Sequence, residues 1–149
     1  MMAGPTWAEA ELRRSLNDAV ASGRLAVSGD FDAFAQALAN VFPFPKGRLD
    51  WCRVPGAEVV QAKGDVAAAF VAFLRKAVGH VDAAQQVVVL GDNQVRFAVL
   101  GPIDAILAAL PTITAFPQHT YVFPYPGVAW CASLTSEHDM CFGCAPARD

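Results

Sequence analysis

The sequence predicts an α+β fold in which helices pack against a largely antiparallel sheet. Helical and strand-like segments follow one another in the order ααβαββαβββ, roughly, with three strands in succession near the C-terminus. Short turns join neighbouring strand-like segments, which is typical of antiparallel pairing. Apolar residues make up 54% of the 149 residues, enough to fill a sizeable core, so we expect a single domain over residues 1–149.

Two helices are predicted in the first part of the chain. The first begins at Thr6, because Thr6 and Glu9 have the T-x-x-E spacing of a capping box, and it ends at Gly23. Apolar residues at a helical period predict a second helix over Asp30–Phe42, which Pro43 then stops.

Two further helices are predicted later in the chain. Asp65 caps a helix that runs to Val78, and the basic pair Arg75-Lys76 in its last turn complements the helix dipole. Pro102 precedes a short helix over Ile103–Leu110.

Short runs of apolar and β-branched residues predict the strands. Gly91–Gln94 lies between two of these runs and predicts a hairpin turn. In chain order the strand-like segments are Trp51–Arg53, Glu58–Ala62, Gln86–Leu90, Val95–Leu100, Thr120–Phe123, Val128–Leu134 and Met140–Phe142.

The net charge argues against a nucleic-acid-binding protein, and the prolines in the last third of the chain argue against a membrane-spanning helix. The net charge is −3 and the pI is near 5.5, whereas nucleic-acid-binding proteins usually carry a basic patch. Residues 105–136 carry no Asp, Glu, Lys or Arg, but four prolines interrupt them, so they cannot form one membrane-spanning helix. No basic and apolar leader pattern precedes Glu9, and we expect a cytoplasmic protein with reduced thiols.

The cysteines raise the alternative of a small zinc-binding or thiol-dependent enzyme. Cys141 and Cys144 form a C-x-x-C pair, but a structural zinc site normally has two such pairs. Residues three apart on a strand also point to opposite faces, and ordinary buried thiols explain the same residues. The alternative ligand set is Cys131, His138, Cys141 and Cys144, with Cys52 as a further thiol.

A nucleophilic active site is a second chemical alternative. No glycine-rich elbow or oxyanion-hole pattern surrounds its candidate residues, and the sequence contains no P-loop, dinucleotide fingerprint or H-E-x-x-H motif. We therefore expect neither catalysis nor a bound cofactor. The candidates for this alternative are Cys131 or Ser133 as nucleophile, His119 or His138 as base, and Asp104 or Asp139 as the group that orients the base.

The final third of the chain is locally anionic. No Lys or Arg occurs between Arg96 and Arg148, and the only charged residues there are Asp104, Glu137 and Asp139. Two interpretations fit this pattern: loops around a buried sheet, or an acidic surface that meets a basic partner. Nearby aromatic residues could anchor such a partner or pack in the core. They are Tyr121, Phe123, Tyr125 and Trp130, and for Trp130 we favour the core.

Three segments near the C-terminus share a pattern. They are His119–Phe123 with the form H-x-Y-x-F, the pair Trp130-Cys131, and Glu137–Gly143 with the form E-x-D followed by F-G. Together they resemble the closing strands of small bacterial immunity proteins, which neutralise polymorphic or contact-dependent growth inhibition toxins. The resemblance spans about 25 of the 149 residues, and Cys141 and Cys144 are not part of the pattern.

This resemblance implies a binding protein that docks one-to-one on a cognate toxin domain and has no catalysis of its own. Such toxins are frequently nucleases or other nucleic-acid-modifying enzymes, and an acidic inhibitor would attract a basic toxin. The residues expected at the toxin interface are Asp104, Tyr121, Tyr125, Glu137 and Asp139.

A self-associating structural module is a further alternative, because low charge and high apolar content can hide an oligomer interface.

Overall fold

The computed structural model describes residues 7–79, 81–91, 95–115 and 119–146, and in these ranges the chain forms five α-helices and seven strands. The helices are α1 (Trp7–Ser15), α2 (Asn17–Ala21), α3 (Phe31–Ala39), α4 (Val66–Ala77) and α5 (Ile103–Ile113). The strands are β1 (Ala26–Ser28), β2 (Glu58–Gln61), β3 (Gln86–Leu90), β4 (Ala98–Pro102), β5 (Thr120–Pro124), β6 (Trp130–Leu134) and β7 (Asp139–Cys144).

All seven strands belong to one sheet with the order β1-β4-β3-β5-β6-β7-β2. Every neighbouring pair is antiparallel, which confirms the predicted α+β class. The strands from the second half of the chain form the centre of the sheet, and β1 and β2 from the first half form its two edges. None of the helices in the described ranges has the length and apolar character that would let it cross a membrane.

The strand β3 is buried on both faces of the sheet, and each residue from Val87 to Leu90 is at most 2% exposed. Val87 and Val89 pack in a core formed with α1, α4 and α5. Val88 and Leu90 pack in a second core, formed with α3 and the segment that follows it. A strand covered on both sides requires a continuous apolar run, and the sequence of β3 supplies one.

The ends of the predicted helices were only partly correct. The first predicted helix is divided into α1 and α2 at Leu16, and its predicted cap Thr6 lies outside the described residues. Glu9 instead ties α1 to the segment before β4, because its Oε1 accepts a hydrogen bond from the Arg96 N–H at 2.9 Å. The helix α5 continues three residues beyond Leu110, with Pro111 in its last turn.

The predicted cap of α4 is confirmed. The Asp65 carboxylate accepts a hydrogen bond from the Ala68 N–H at 3.1 Å, and Arg75 and Lys76 lie in the last turn of the helix. The predicted pairing of β3 with β4 is also confirmed, although residues 92–94 of the hairpin turn lie outside the described ranges.

Two strand predictions were wrong, and one strand was missed. Trp51–Arg53 forms a 3₁₀ turn, because the Asp50 carboxylate accepts a hydrogen bond from the Cys52 N–H at 3.1 Å and favours a tight bend. The strand predicted from Val95 begins only at Ala98, where pairing with Leu90 starts. The edge strand β1 was missed, because three residues are too few to show an alternating pattern.

Two glycines allow segments outside the sheet to approach it closely. A Cβ atom added at Gly143 in β7 would lie 2.8 Å from Val54 Cγ1 and 3.0 Å from Trp51 Cζ3. A Cβ atom added at Gly101 in β4 would lie 2.7 Å from Leu25 Cδ2. The first contact holds the 3₁₀ turn on one face of the sheet, and the second holds the segment before β1 on the other.

We expect Gly143→Ala to destabilise the protein by about 1 to 3 kcal/mol, because Val54 is buried and cannot move aside from the new methyl group. The matched control is Gly29→Ala, where an added Cβ meets no atom within 4 Å. We expect the control to change the free energy of unfolding by less than about 1 kcal/mol. Urea denaturation checks both values, and equal effects of the two substitutions would contradict the close contact.

Candidate functional site

One end of the sheet carries the turn that joins β6 to β7, at residues 135–138. The start of β5 and the end of β3 lie at the same end, because Thr120 pairs with Leu134 and Tyr121 pairs with Leu90. We call it the turn end of the sheet. A concave site opens on each face of the sheet here.

On the face covered by α4 and α5, a cavity of about 650 Å³ lies between the start of α4, the end of α5 and the β6–β7 turn. Several of its polar groups already serve the protein's own backbone. Asp65 caps α4, the Thr114 hydroxyl donates to Leu110 O at 2.8 Å, and Thr135 Oγ1 accepts from the Asp139 N–H at 3.1 Å. These groups are therefore poorly placed to bind a partner molecule.

On the opposite face, a groove of about 580 Å³ runs between α3, the segment 44–48 and the start of β5. Its volume is typical of binding sites in proteins. We define the groove by six of the residues that line it: Phe31, Ala35, Ala39, Phe44, Arg48 and Tyr121. His119 and Asp32 also line it.

Aromatic rings form the floor of the groove. The rings of Phe44 and Tyr121 lie 5.7 Å apart between centroids at an interplanar angle of 58°, a favourable tilted contact. The Tyr121 hydroxyl accepts a hydrogen bond from the Leu49 N–H at 3.4 Å, which fixes the ring to the segment that crosses it. Burial raises the pKa of Tyr121 above its ordinary value, so the phenol stays neutral at physiological pH.

Two exposed ion pairs flank the groove. Arg48 lies 3.7 Å from Glu137 in the β6–β7 turn, and Arg96 lies 3.2 Å from Asp32 at the start of α3. The Arg96 guanidinium also lies over the ring of Phe31, 5.1 Å from its centroid. The acidic surface expected from the last third of the chain therefore includes a basic residue that comes from much earlier in the sequence.

The Glu137 carboxylate is ionised at physiological pH. A hydrogen bond from its own backbone N–H lowers its pKa, and the hydroxyls of Thr135 and Ser136 and the charge of Arg48 act in the same direction. An exposed carboxylate that is held in its charged form suits contact with a cationic partner.

The structure divides the five predicted interface residues between the two ends of the sheet. Tyr121, Glu137 and Asp139 lie at the turn end. Asp104 and Tyr125 lie at the opposite end, beside the start of β3. A single small interface at the turn end therefore contains the first three and not the other two.

The remaining candidate aromatic residues belong to the core. Phe123 is fully buried, and Trp130 is 6% exposed and packs against Phe142 at 5.8 Å between centroids. The ring of Tyr125 is partly exposed and contacts Phe34 edge-on at 5.0 Å. Trp130 therefore packs in the core, as favoured from its sequence context.

The four residues of the zinc alternative are not brought together. Cys141 and Cys144 point to opposite faces of β7, because the pairing of β7 with β6 is regular from Met140 to Cys144 and contains no bulge. Cys141 is buried, whereas Cys144 is exposed. Within the described ranges, no group of three His, Cys, Asp or Glu residues is placed to hold a metal ion.

The candidate nucleophiles are buried and held in their neutral forms. Burial raises the pKa of the Cys131 thiol well above its ordinary value, and it raises the pKa of the Cys141 thiol to about 11. The hydroxyl of Ser133 is buried and accepts a hydrogen bond from the Trp51 indole N–H at 3.0 Å. A thiolate is the reactive form of cysteine, so these thiols are structural in character.

Phe31, Phe44 and Arg48 are site residues that were not singled out in the sequence. Each comes from the first third of the chain, and no local motif marks it. The phenylalanines belong to apolar patterns that equally well predict core positions. Only the folding of α3 and the segment 44–48 across the start of β5 brings them to Tyr121.

We expect two thiols to react with Ellman's reagent in the folded protein, those of Cys52 and Cys144, which are exposed. Cys131 and Cys141 should react only after unfolding, because burial excludes the reagent and raises their pKa. The measurement is a thiol count at pH 8 with and without denaturant. Rapid reaction of all four thiols in native buffer would show that the second core is open.

Comparison with known proteins gives no family for the chain. No protein-family model matches it, and no curated protein matches its sequence. The resemblance to immunity proteins therefore rests on the three segments between His119 and Gly143 alone.

Proposed function

We propose that this chain is a cytoplasmic immunity protein that binds a cognate toxin domain through the groove and its charged rim, without catalysis of its own. The observation that carries the proposal is the convergence of residues far apart in sequence on one open site. Phe31, Phe44 and Tyr121 supply an aromatic floor, and Glu137 lies at the rim beside Arg48.

The segments that carry the resemblance support this choice of surface. His119 and Tyr121, from the H-x-Y-x-F segment, line the groove. Glu137, from the E-x-D segment, pairs with Arg48 at its edge. Two of the three similar segments thus meet at the turn end, while Trp130 of the third packs in the core.

The Arg48–Glu137 ion pair, which forms the charged rim of the groove, can separate when a toxin binds. The side chains of Arg48 and Glu137 are 58% and 63% exposed, so water screens their ion pair and it adds little to stability. A Lys or Arg of the toxin can therefore replace Arg48 beside Glu137 at little cost, and an apolar side chain can enter above the aromatic floor. Aromatic contact area of this kind dominates many protein interfaces.

The buried thiols favour binding over catalysis. The nucleophiles considered for an enzyme are neutral and enclosed, whereas the groove presents aromatic surface and fixed charges. This combination is typical of a recognition surface.

The first test is co-expression with the toxic C-terminal fragment encoded beside this chain in its genome. We expect the cells to survive and the two proteins to copurify in a one-to-one complex, because inhibition by direct contact is stoichiometric. Cell survival and the mass of the purified complex are the measurements. Cell death together with the absence of a complex would overturn the proposal.

The second test asks whether the groove is the contact surface. Ala39→Trp places a large ring over the groove, and we expect it to weaken toxin binding at least tenfold. Ala33→Trp is the matched control, because Ala33 is exposed on the same helix and does not line the groove. Titration calorimetry measures both affinities.

Charge reversal gives a separate readout of the rim. Glu137→Lys should lower the association rate and make it less dependent on salt, because an attractive charge is removed, and Asp18→Lys on α2 is the control with the same change in net charge. Equal affinities for the two tryptophan variants, with equal association rates for the two lysine variants, would place the interface elsewhere.

A further inference from the structure

The edge strand β2 is open to solvent along its whole length. It pairs with β7 on one side, and all four of its residues are exposed. Val59 is 55% exposed and Val60 is 45% exposed, which makes them two of the most exposed large apolar residues in the described ranges. An edge of this kind presents unpaired backbone groups to which another strand can bind.

The register with β7 shows which backbone groups face outward. The Ala62 N–H donates to His138 O at 2.9 Å, so Ala62 is directed toward β7. Hydrogen bonding alternates along an antiparallel pair, and Val60 and Glu58 are therefore also directed toward β7. The N–H and C=O groups of Val59 and Gln61 point away from the sheet.

Apart from its length of only four residues, the strand has few of the features that usually block edge pairing. It contains no proline, no lysine and no bulge, and it carries one acidic residue, Glu58. Gly56 and Gly64, with φ values of 73° and 69°, bound it on either side and turn the chain away from the edge. The result is a short edge with defined ends.

We propose that β2 pairs antiparallel with β2 of a second copy of this chain, about a two-fold axis that passes between the two Val60 residues. In this register Val59 of one copy exchanges hydrogen bonds with Gln61 of the other, and the symmetry repeats the exchange. The two sheets then become one continuous sheet. The proposal does not rest on the immunity function, because it is argued from the backbone and side chains of β2 and not from the groove.

The sequence of β2 complements itself in this register. Val60 faces Val60 in a pair without hydrogen bonds, where side chains approach most closely, and Met140 flanks each valine on the same face. The two Glu58 carboxylates are offset by four residues along the strands, roughly 13 Å, which exceeds the screening length at physiological salt. A shift by two residues toward Glu58 would halve that offset, so the charge favours the register centred on Val60.

Sedimentation equilibrium tests the proposal with the full chain. We expect a mass that rises from 15.8 kDa toward twice that value as the concentration increases through the micromolar range, because a four-residue strand supplies a small interface. Val59→Pro should give a monomer at every concentration, since it removes an outward N–H that β7 does not use. Val59→Thr keeps the N–H and should still dimerise.

Cysteine cross-linking keeps the proposal testable if Val59→Pro fails to fold. In a Cys52→Ser/Cys144→Ser background, Val60→Cys should form a disulfide-linked dimer on mild oxidation, because facing residues in such a pair lie about 4.5 to 5.5 Å apart. Val59→Cys should not cross-link, since its counterpart lies two residues along the partner strand. A monomer mass at the highest concentration, or equal cross-linking of the two variants, would overturn the proposal.

Discussion

The burial of β3 on both faces is the constraint on which the rest of the fold depends. Because Val87–Leu90 must avoid water on both sides, the chain has to supply two separate layers to cover them. The helices α1, α4 and α5 form one layer. The other is built from α3 and an irregular segment, and Gly143 allows that segment to lie close to the sheet.

The groove follows from the incompleteness of the second layer. One short helix and a turn-rich segment leave the start of β5 partly uncovered on this face. At the turn end, the aromatic rings that would otherwise be core residues thus line an open site, and Tyr121 is half buried beneath it. The charged residues collect at its edge, where Arg48 and Glu137 keep contact with water.

Local chemistry was predictable from the sequence, and long-range placement was not. The cap at Asp65 and the strand Gln86–Leu90 were predicted correctly, because each depends on residues within a few positions of one another. The turn at Trp51 was not, since the hydrogen bond from the Cys52 N–H to the Asp50 carboxylate, together with the backbone bonds of the turn, outweighs the strand preference of its apolar residues. The groove joins α3 to β5 across more than half the chain, and no pattern in one segment marks such a contact.

The positions of the two edge strands in the sequence also determine when the sheet can form during synthesis. Ala26 pairs with Leu100 and Val59 pairs with Cys141. Each edge strand is therefore synthesised well before the strand with which it pairs. At about 5 to 20 residues per second, the interval between Val59 and Cys141 is roughly 4 to 16 s. Until β3 is made, α3 has no strand against which its apolar side chains can pack, and the sheet is complete only after β7 has followed. The emerging chain therefore depends on the completion of its C-terminal strands, and a prematurely ended chain leaves its first third without a folded partner.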